Sequence, residues 1–207
     1  MRRPWFLLAL VLLACSSEDP PPGEVVGTFA FVATLDESAA PADGLPNCTF
    51  AGAPIRIQFD GTLSHDRATG AAWLQIDGTL REGTLEEEAF ALHLPREPDG
   101  SIRAIPRTLD ACDCELLFTE QYAGRLVKST CLEPTAQTPL GPDTCPRIDE
   151  AGELSWDTCG ALCGTLEERV RFEAGSACVC EVDGEQRPAP ESGCAFVYTL
   201  QGTRIGG

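Results

Sequence analysis

Residues 111–118 read ACDCELLF and residues 177–182 read ACVCEV. Two cysteines one residue apart, each pair followed by Glu, therefore occur twice. Cysteines at this density can ligate a metal, cycle as a redox couple or close disulfides. Cys159-Gly-Ala-Leu-Cys163 lies just before the second pair, so Cys159, Cys163, Cys178 and Cys180 could offer four thiolates to zinc or a cluster. Two observations weigh against metal and redox readings. The spacings are not CxxC twice, and neither pair sits in the strand–helix context of a thiol redox centre.

Other candidate chemistry is sparse. The chain has two histidines. His65 sits in a polar turn signal beside Asp66, and His93 falls at the polar phase of an alternating run; both read as solvated surface residues. Ser64-His65-Asp66 is contiguous and cannot form a triad with itself, because triad members meet through space from separate segments. No G-x-S-x-G, HExxH, P-loop or GxGxxG is present. Glu86-Glu87-Glu88 reads as a solvated edge without calcium-loop spacing. Trp73 reads as core, and with Trp5 in the leader the tryptophans form no sugar-binding series. Asn47-Cys48-Thr49 matches a glycosylation sequon.

The N-terminus decides how the cysteines are read. The chain begins MRRPWFLLALVLLACSSEDPPPG. Arg2 and Arg3 make a positive start, and Trp5 to Ala14 form an apolar run. A membrane-spanning helix needs roughly 20 such residues, whereas this run has signal-peptide length. It ends Leu12-Leu13-Ala14-Cys15, which resembles the lipobox of bacterial lipoproteins. The resemblance covers the first 15 residues. It implies cleavage after Ala14 and lipidation of the Cys15 sulfur, with stable anchoring by two or three acyl chains. Ser16, rather than Asp, follows Cys15, and in the Gram-negative pattern this implies the outer membrane or cell surface. Residues 15–23 are polar and Pro-rich and read as an extended tether.

An exported chain meets an oxidising compartment. After Cys15 ten cysteines remain: Cys48, Cys112, Cys114, Cys131, Cys145, Cys159, Cys163, Cys178, Cys180 and Cys194. An even number in such a chain predicts a disulfide framework, with on the order of 945 connectivities open to it. The Pro-rich stretch 132–146 divides the cysteines four and six, so each half could close its own bridges. In an extended strand Cys112 and Cys114 would stand about 6–7 Å apart on one face. The expectation is that they staple two separate neighbours rather than each other, with Cys178 and Cys180 doing the same.

Removing residues 1–14 takes away Arg2 and Arg3. That leaves 13 basic against 32 acidic residues, a formal charge of −19. This charge excludes the clustered cations that nucleic-acid binding needs and disfavours lying flat on anionic lipid. No cofactor or metal is expected.

The elements that hold these residues read as strands. Ile55–Phe59 alternates apolar and polar; Leu74 and Ile76 share a face, as do Phe90, Leu92 and Leu94, and Cys194, Phe196, Tyr198 and Leu200. Phe29 and Phe31 mark another strand. Turn signals stand between them at 66–70, 98–100 and 183–184. The predicted fold is all-β, an antiparallel sandwich or small barrel stapled by disulfides, with short helices at most. Gly-Thr-Leu recurs at 61–63, 78–80, 83–85 and 164–166, and GTLEE at Gly83 and Gly164; Thr165 fits a helix capping box. The organisation predicted is a leader 1–14, a tether 15–23, a β-sheet domain 24–131, a linker 132–146, and a Cys-rich segment 147–207 that completes the domain or forms a small subdomain. FAFVATL and AFVYTLQG, the first and last strands, could pair to close the sheet.

These readings converge on a membrane-anchored envelope protein with a non-catalytic binding or structural role, meeting a protein or glycan partner. An envelope hydrolase with a scattered acidic and histidine site, and a Cys-ligated metal protein, stand as alternatives.

Overall fold

The structure, a computed structural model, describes residues 20–49, 53–128, 131, 145, 147–148, 154–156, 158–172, 178–188 and 193–206. The leader, the lipobox and nearly all of the 132–146 stretch lie outside the described residues.

Strands in chain order are β1 Glu24–Leu35, β2 Arg56–Asp66, β3 Ala71–Ile76, β4 Thr79–Glu86, β5 Ala89–His93, β6 Ile105–Thr108, β7 Glu115–Val127, β8 Arg147–Ile148, β9 Leu154–Ser155, β10 Ala161–Phe172, β11 Val179–Val182, β12 Glu185–Pro188 and β13 Cys194–Gly206. No helix occurs among the described residues. Lateral order runs β10-β13-β1-β2-β3-β4-β5-β7, and β7 pairs back onto β10. Eight antiparallel strands thus form a closed barrel whose ring leaves none of its own staves as a free edge. Between sandwich and barrel, the fold is the barrel. The first and last strands do pair, Phe31 opposite Gly202 and Ala33 opposite Leu200, but the ring closes elsewhere, at β7–β10.

Period-two alternation builds the wall. Phe29, Phe31 and Ala33 of β1, Ala72, Leu74 and Ile76 of β3, Phe90 and Leu92 of β5, and Phe196, Tyr198 and Leu200 of β13 are all buried. Asp77 and Gly78, both at positive φ (48° and 73°), make the tight β3–β4 hairpin, and Asp183-Gly184 makes β11–β12 in the same way. β10 runs straight through Thr165, so the capping-box pattern there starts no helix. The ladder to β7 and β13 already uses the backbone donors that a capping box would satisfy.

The closing seam depends on two glycines. Gly124 and Gly164 are register partners. A Cβ on Gly164 would strike the carbonyl oxygen of Ala123, and one on Gly124 that of Cys163. In the Gly-Thr-Leu copies at 61–63, 83–85 and 164–166 the Leu is buried at 0–2% exposure, with the Gly in the same phase. The copies are a local device of the wall: no side chain where a neighbouring backbone (Gly83, Gly164) or core side chains (Gly61) crowd, then a core leucine.

All ten cysteines are bridged: Cys48–Cys194, Cys112–Cys180, Cys114–Cys178, Cys131–Cys163 and Cys145–Cys159. Two expectations are corrected here. The halves do not close their own bridges, because the first four pairs join residues before 132 to residues after 146. The CxC pairs do not reach separate neighbours either: they bind each other. Cys112 stands opposite Cys180 in an antiparallel bridge. A two-residue step on one side then meets a two-residue step on the other in reverse, so Cys114 falls on Cys178.

The barrel has two distinct ends. At the base, Trp156, 5% exposed, packs edge-on against His65 with ring centroids 5.6 Å apart. Arg204 clasps this plug by donating to the Trp156 carbonyl oxygen at 2.8 Å and to that of Val26. The mouth carries residues 36–49 and 53–55, 94–114, and 178–188 with 193. β10 and β13 from the 147–207 segment are staves of the same barrel as β1–β5 and β7.

Gly164→Val should therefore lose about 3 kcal/mol or more of folding free energy, the range reserved for steric disruption of a packed site. Thr165→Val, one residue on and exposed, should stay within about 0.5 kcal/mol of the parent. Urea unfolding of both variants checks this.

Candidate functional site

Three strands carry charge where their alternation calls for core. On β7, Leu116, Phe118, Glu120, Tyr122 and Leu126 share the interior phase; on β10, Leu162, Leu166, Glu168 and Val170 do so; on β4, Arg81 and Leu85. Side-chain exposure is 4% for Glu120, 6% for Glu168 and 7% for Arg81. Barrel closure sets Glu120 directly opposite Glu168. Like charges so placed repel, and burial magnifies the repulsion.

Arg107 relieves it. This residue belongs to β6, which pairs with the first residues of β7, beside β5. Its Nη1 donates to Glu168 Oε1 and its Nη2 to Glu120 Oε1, each at 2.6 Å. Its guanidinium lies 5.0 Å from the Phe118 ring centroid. Arg81 takes the other side of Glu120, with Nε and Nη2 donating to Oε2 at 3.0 and 2.7 Å. The remaining Arg81 nitrogen donates to the carbonyl oxygens of Ile76 and Thr79 at 3.1 and 2.9 Å. Tyr122 Oη donates to Glu120 Oε2 at 3.0 Å. Glu120 thus accepts four hydrogen bonds, whereas among the described residues Glu168 has Arg107 alone as a cationic partner.

Titration follows from this asymmetry. Burial pushes the Glu168 carboxyl above the usual carboxylate range against the pull of Arg107. Burial opposes charge on Arg107, but Glu168 and Glu120 outweigh it and hold the guanidinium above its ordinary value. Burial, reinforced by Glu120, pushes the Tyr122 phenol up; burial and Glu168 do the same to Tyr198. Tyr198 is fully buried beside Glu168, and its hydroxyl makes no hydrogen bond of regular geometry.

A cavity of about 310 Å³ opens at the mouth above these groups. Its walls include Ile57, Phe59, Leu109, Leu166 and Phe196; Arg81, Arg107, Glu120, Glu168 and Tyr122 form its floor. Phe59 is held by stacking on Phe31 at 5.0 Å and by an edge contact to Tyr122 at 6.4 Å. It is a half-open cleft, more apolar than polar, in which a few polar groups converge.

The residues singled out from sequence lie elsewhere. Cys159, Cys163, Cys178 and Cys180 go to four different partners, so they do not assemble as thiolates around a metal. Asp113, Cys114 and Cys178 approach one another closely, but the two sulfurs are bonded together and neither is a thiolate. His65 is not a surface residue: it is 7% exposed at the base, because the strand runs to Asp66, where the turn begins, and Trp156 covers the ring. His93 is half-buried with Nδ1 2.6 Å from the Leu94 carbonyl oxygen. Neither histidine lines the cavity. Trp73 is half-buried on the outer phase of β3, between core residues Ala72 and Leu74, so it is not core. Glu86 and Glu87 are exposed at the β4–β5 turn. Arg81, Arg107, Glu120 and Glu168 were not singled out. Their signal was available for three of them, as charge at the apolar phase of strands otherwise patterned for a core.

No protein-family model matches the chain, and comparison with curated proteins and with solved structures finds no match.

Two predictions come from these groups. Arg81→Met or Glu120→Leu alone strands a buried charge and should cost about 3–5 kcal/mol, while the double variant should fall well below the sum of the two. Urea unfolding of both singles and the double checks this. His65 is held below its ordinary value of 6.5, first by burial and then by Arg67. The unfolded chain then binds the extra proton more readily, so this contribution to stability is complete above about pH 6.5 and is lost as pH falls towards the folded value. Denaturation at pH 8, 6.5 and 5 should show the parent losing more stability than His65→Phe across that interval.

Proposed function

We propose that this chain is a lipid-anchored protein of the bacterial envelope, attached through Cys15, whose barrel binds a small amphipathic molecule at its mouth without transforming it. The observation that carries the reading is the cavity itself. Eight strands enclose just enough room for side chains or for one small ligand. The base half of this barrel is filled, by Phe29, Leu63, Leu85 and Leu126 among others. The mouth half is left open over charged groups.

The lipid anchor and the cavity are compatible in direction. The chain joins the barrel at the base, where Glu24 pairs with His65, whereas Ile57, Asp77 and Leu109 border the cavity at the other end. A lipid on Cys15 would leave the mouth turned away from the membrane, on a tether of 15–23 that reaches at most about 30 Å. Five disulfides favour an oxidising compartment, and Ser16 after Cys15 favours the outer membrane or cell surface. A hydrolase reading gains nothing from the histidines, since neither reaches the cavity. The acids that do reach it are engaged by Arg107.

The test uses the full-length chain in phosphatidylcholine nanodiscs with a neutral solvatochromic naphthalene probe. The probe should shift to the blue saturably, with a stoichiometry near one, and Leu109→Trp, which fills the cavity, should weaken it at least tenfold. No saturable shift above empty nanodiscs would end the ligand-binding reading. Cys15→Ser, expressed in a Gram-negative host, should move the protein from the membrane to the soluble fraction; unchanged membrane recovery would end the anchoring reading.

A further inference from the structure

We propose that the bound molecule carries a cationic head, a guanidinium or ammonium group, and that Arg107 stands in for this head in the ligand-free barrel. The inference rests on the ligand-binding reading of the cavity.

Its basis is where Arg107 comes from. In the nine-stranded sheet, β6 is the member that is not a stave of the ring. It is four residues long and pairs only with β7. Arg81, by contrast, belongs to a stave and is fixed by bidentate contact with Glu120 and by two carbonyl oxygens. Arg107 thus reaches the floor from an appendage, and its side chain is 36% exposed where those of Glu120 and Glu168 are 4% and 6%. The two guanidinium groups differ in kind: one is built into the wall, the other is inserted from outside it.

Withdrawing Arg107 would leave different consequences for the two acids. Glu120 would keep Arg81 and Tyr122. Among the described residues Glu168 would be left buried without a cationic partner, with only the fully buried Tyr198 hydroxyl beside it. Such a vacancy can be filled by another cation with N–H donors, the alternative being protonation of Glu168. An incoming guanidinium or ammonium replaces Arg107 charge for charge, so the electrostatic change is small. The apolar part of the ligand then decides the balance by covering Ile57, Phe59 and Phe196. An anionic head meets the opposite situation. The half-buried guanidinium of Arg107 is flanked by two carboxylates, and Arg81 is already saturated. The chain's net charge, −17 for the full sequence, also attracts cations to the mouth and repels anions. The aromatic rings of Phe59, Phe118 and Tyr122 around the floor suit a cation further.

Calorimetric titration of the full-length chain in phosphatidylcholine nanodiscs, with octylguanidinium, octanoate and 1-octanol as probes of equal tail length, tests the proposal. Octylguanidinium should bind at least tenfold tighter than either of the others, and Glu168→Gln should reduce that preference to less than threefold. Arg107→Ala, which removes the internal competitor, should bind octylguanidinium at least fivefold tighter than the parent. Equal binding of all three probes would overturn the cationic head and leave the ligand-binding reading standing. Tighter octanoate would overturn it in favour of an anion. Weaker octylguanidinium binding by folded Arg107→Ala would overturn displacement. Binding of none would overturn both readings. The parent comparison decides the head group even if a variant fails to fold, which its circular dichroism reveals.

Discussion

Ring closure between β7 and β10 is the constraint from which the other features follow. Two twelve-residue runs lie side by side from Leu116–Phe172 at the mouth to Val127–Ala161 at the base, and their approach is so close that both central partners, Gly124 and Gly164, lack side chains. The same register that meets at two glycines meets four residues further up at two glutamates. A one-residue slip would turn Glu120 and Glu168 outwards, but it would turn Leu116, Phe118, Leu162 and Leu166 outwards as well. The core therefore fixes the register, and the register fixes the acid pair. Arg81, Arg107 and the two tyrosines are the answer to a charge problem that closure creates.

That origin explains why the site resists reading from sequence. Alternation in FAFVATL, AFALHL and CAFVYTL announces strands because apolar side chains occur every second residue. Closure does not announce itself. Nothing local in ELLFTEQYAGRL and ALCGTLEERVRF says that these two strands, separated by more than thirty residues, are neighbours. Without that pairing Glu120 and Glu168 are two acids among 32. Arg107 is less legible still, since its strand is four residues long and its burial pattern is weak. The disulfides show the same division. Their existence follows from an even count in an exported chain, but the Cys112–Cys180 and Cys114–Cys178 ladder depends on two mouth connections meeting in antiparallel. The burial of His65 is hidden for a complementary reason: the Asp66–Gly70 turn signal is genuine, with Asp66 accepting from Ala68 N and Thr69 Oγ1, but it begins one residue after the histidine, and the covering Trp156 is 91 positions away in the chain.

Stability and opportunity are divided between the two ends. At the base the interior is filled, the plug carrying Trp156 is held by Arg204, and the local bridges Cys131–Cys163 and Cys145–Cys159 tie the β7–β10 connection down. At the mouth a cavity of about 310 Å³ means that facing walls do not touch, and the contacts a packed core would supply are forgone. All three long-range bridges lie at that end. Cys48–Cys194 ties the β1–β2 connection to the start of β13, and the CxC ladder ties the β6–β7 connection to the β11–β12 hairpin, with sequence separations of 146, 68 and 64. Long covalent loops restrict the unfolded chain most. Covalent closure at the mouth thus substitutes for the packing that an open cavity rules out. The cysteines whose spacing suggests chemistry are bonded in pairs at the mouth, where they help the hollow end of the barrel to remain both hollow and folded.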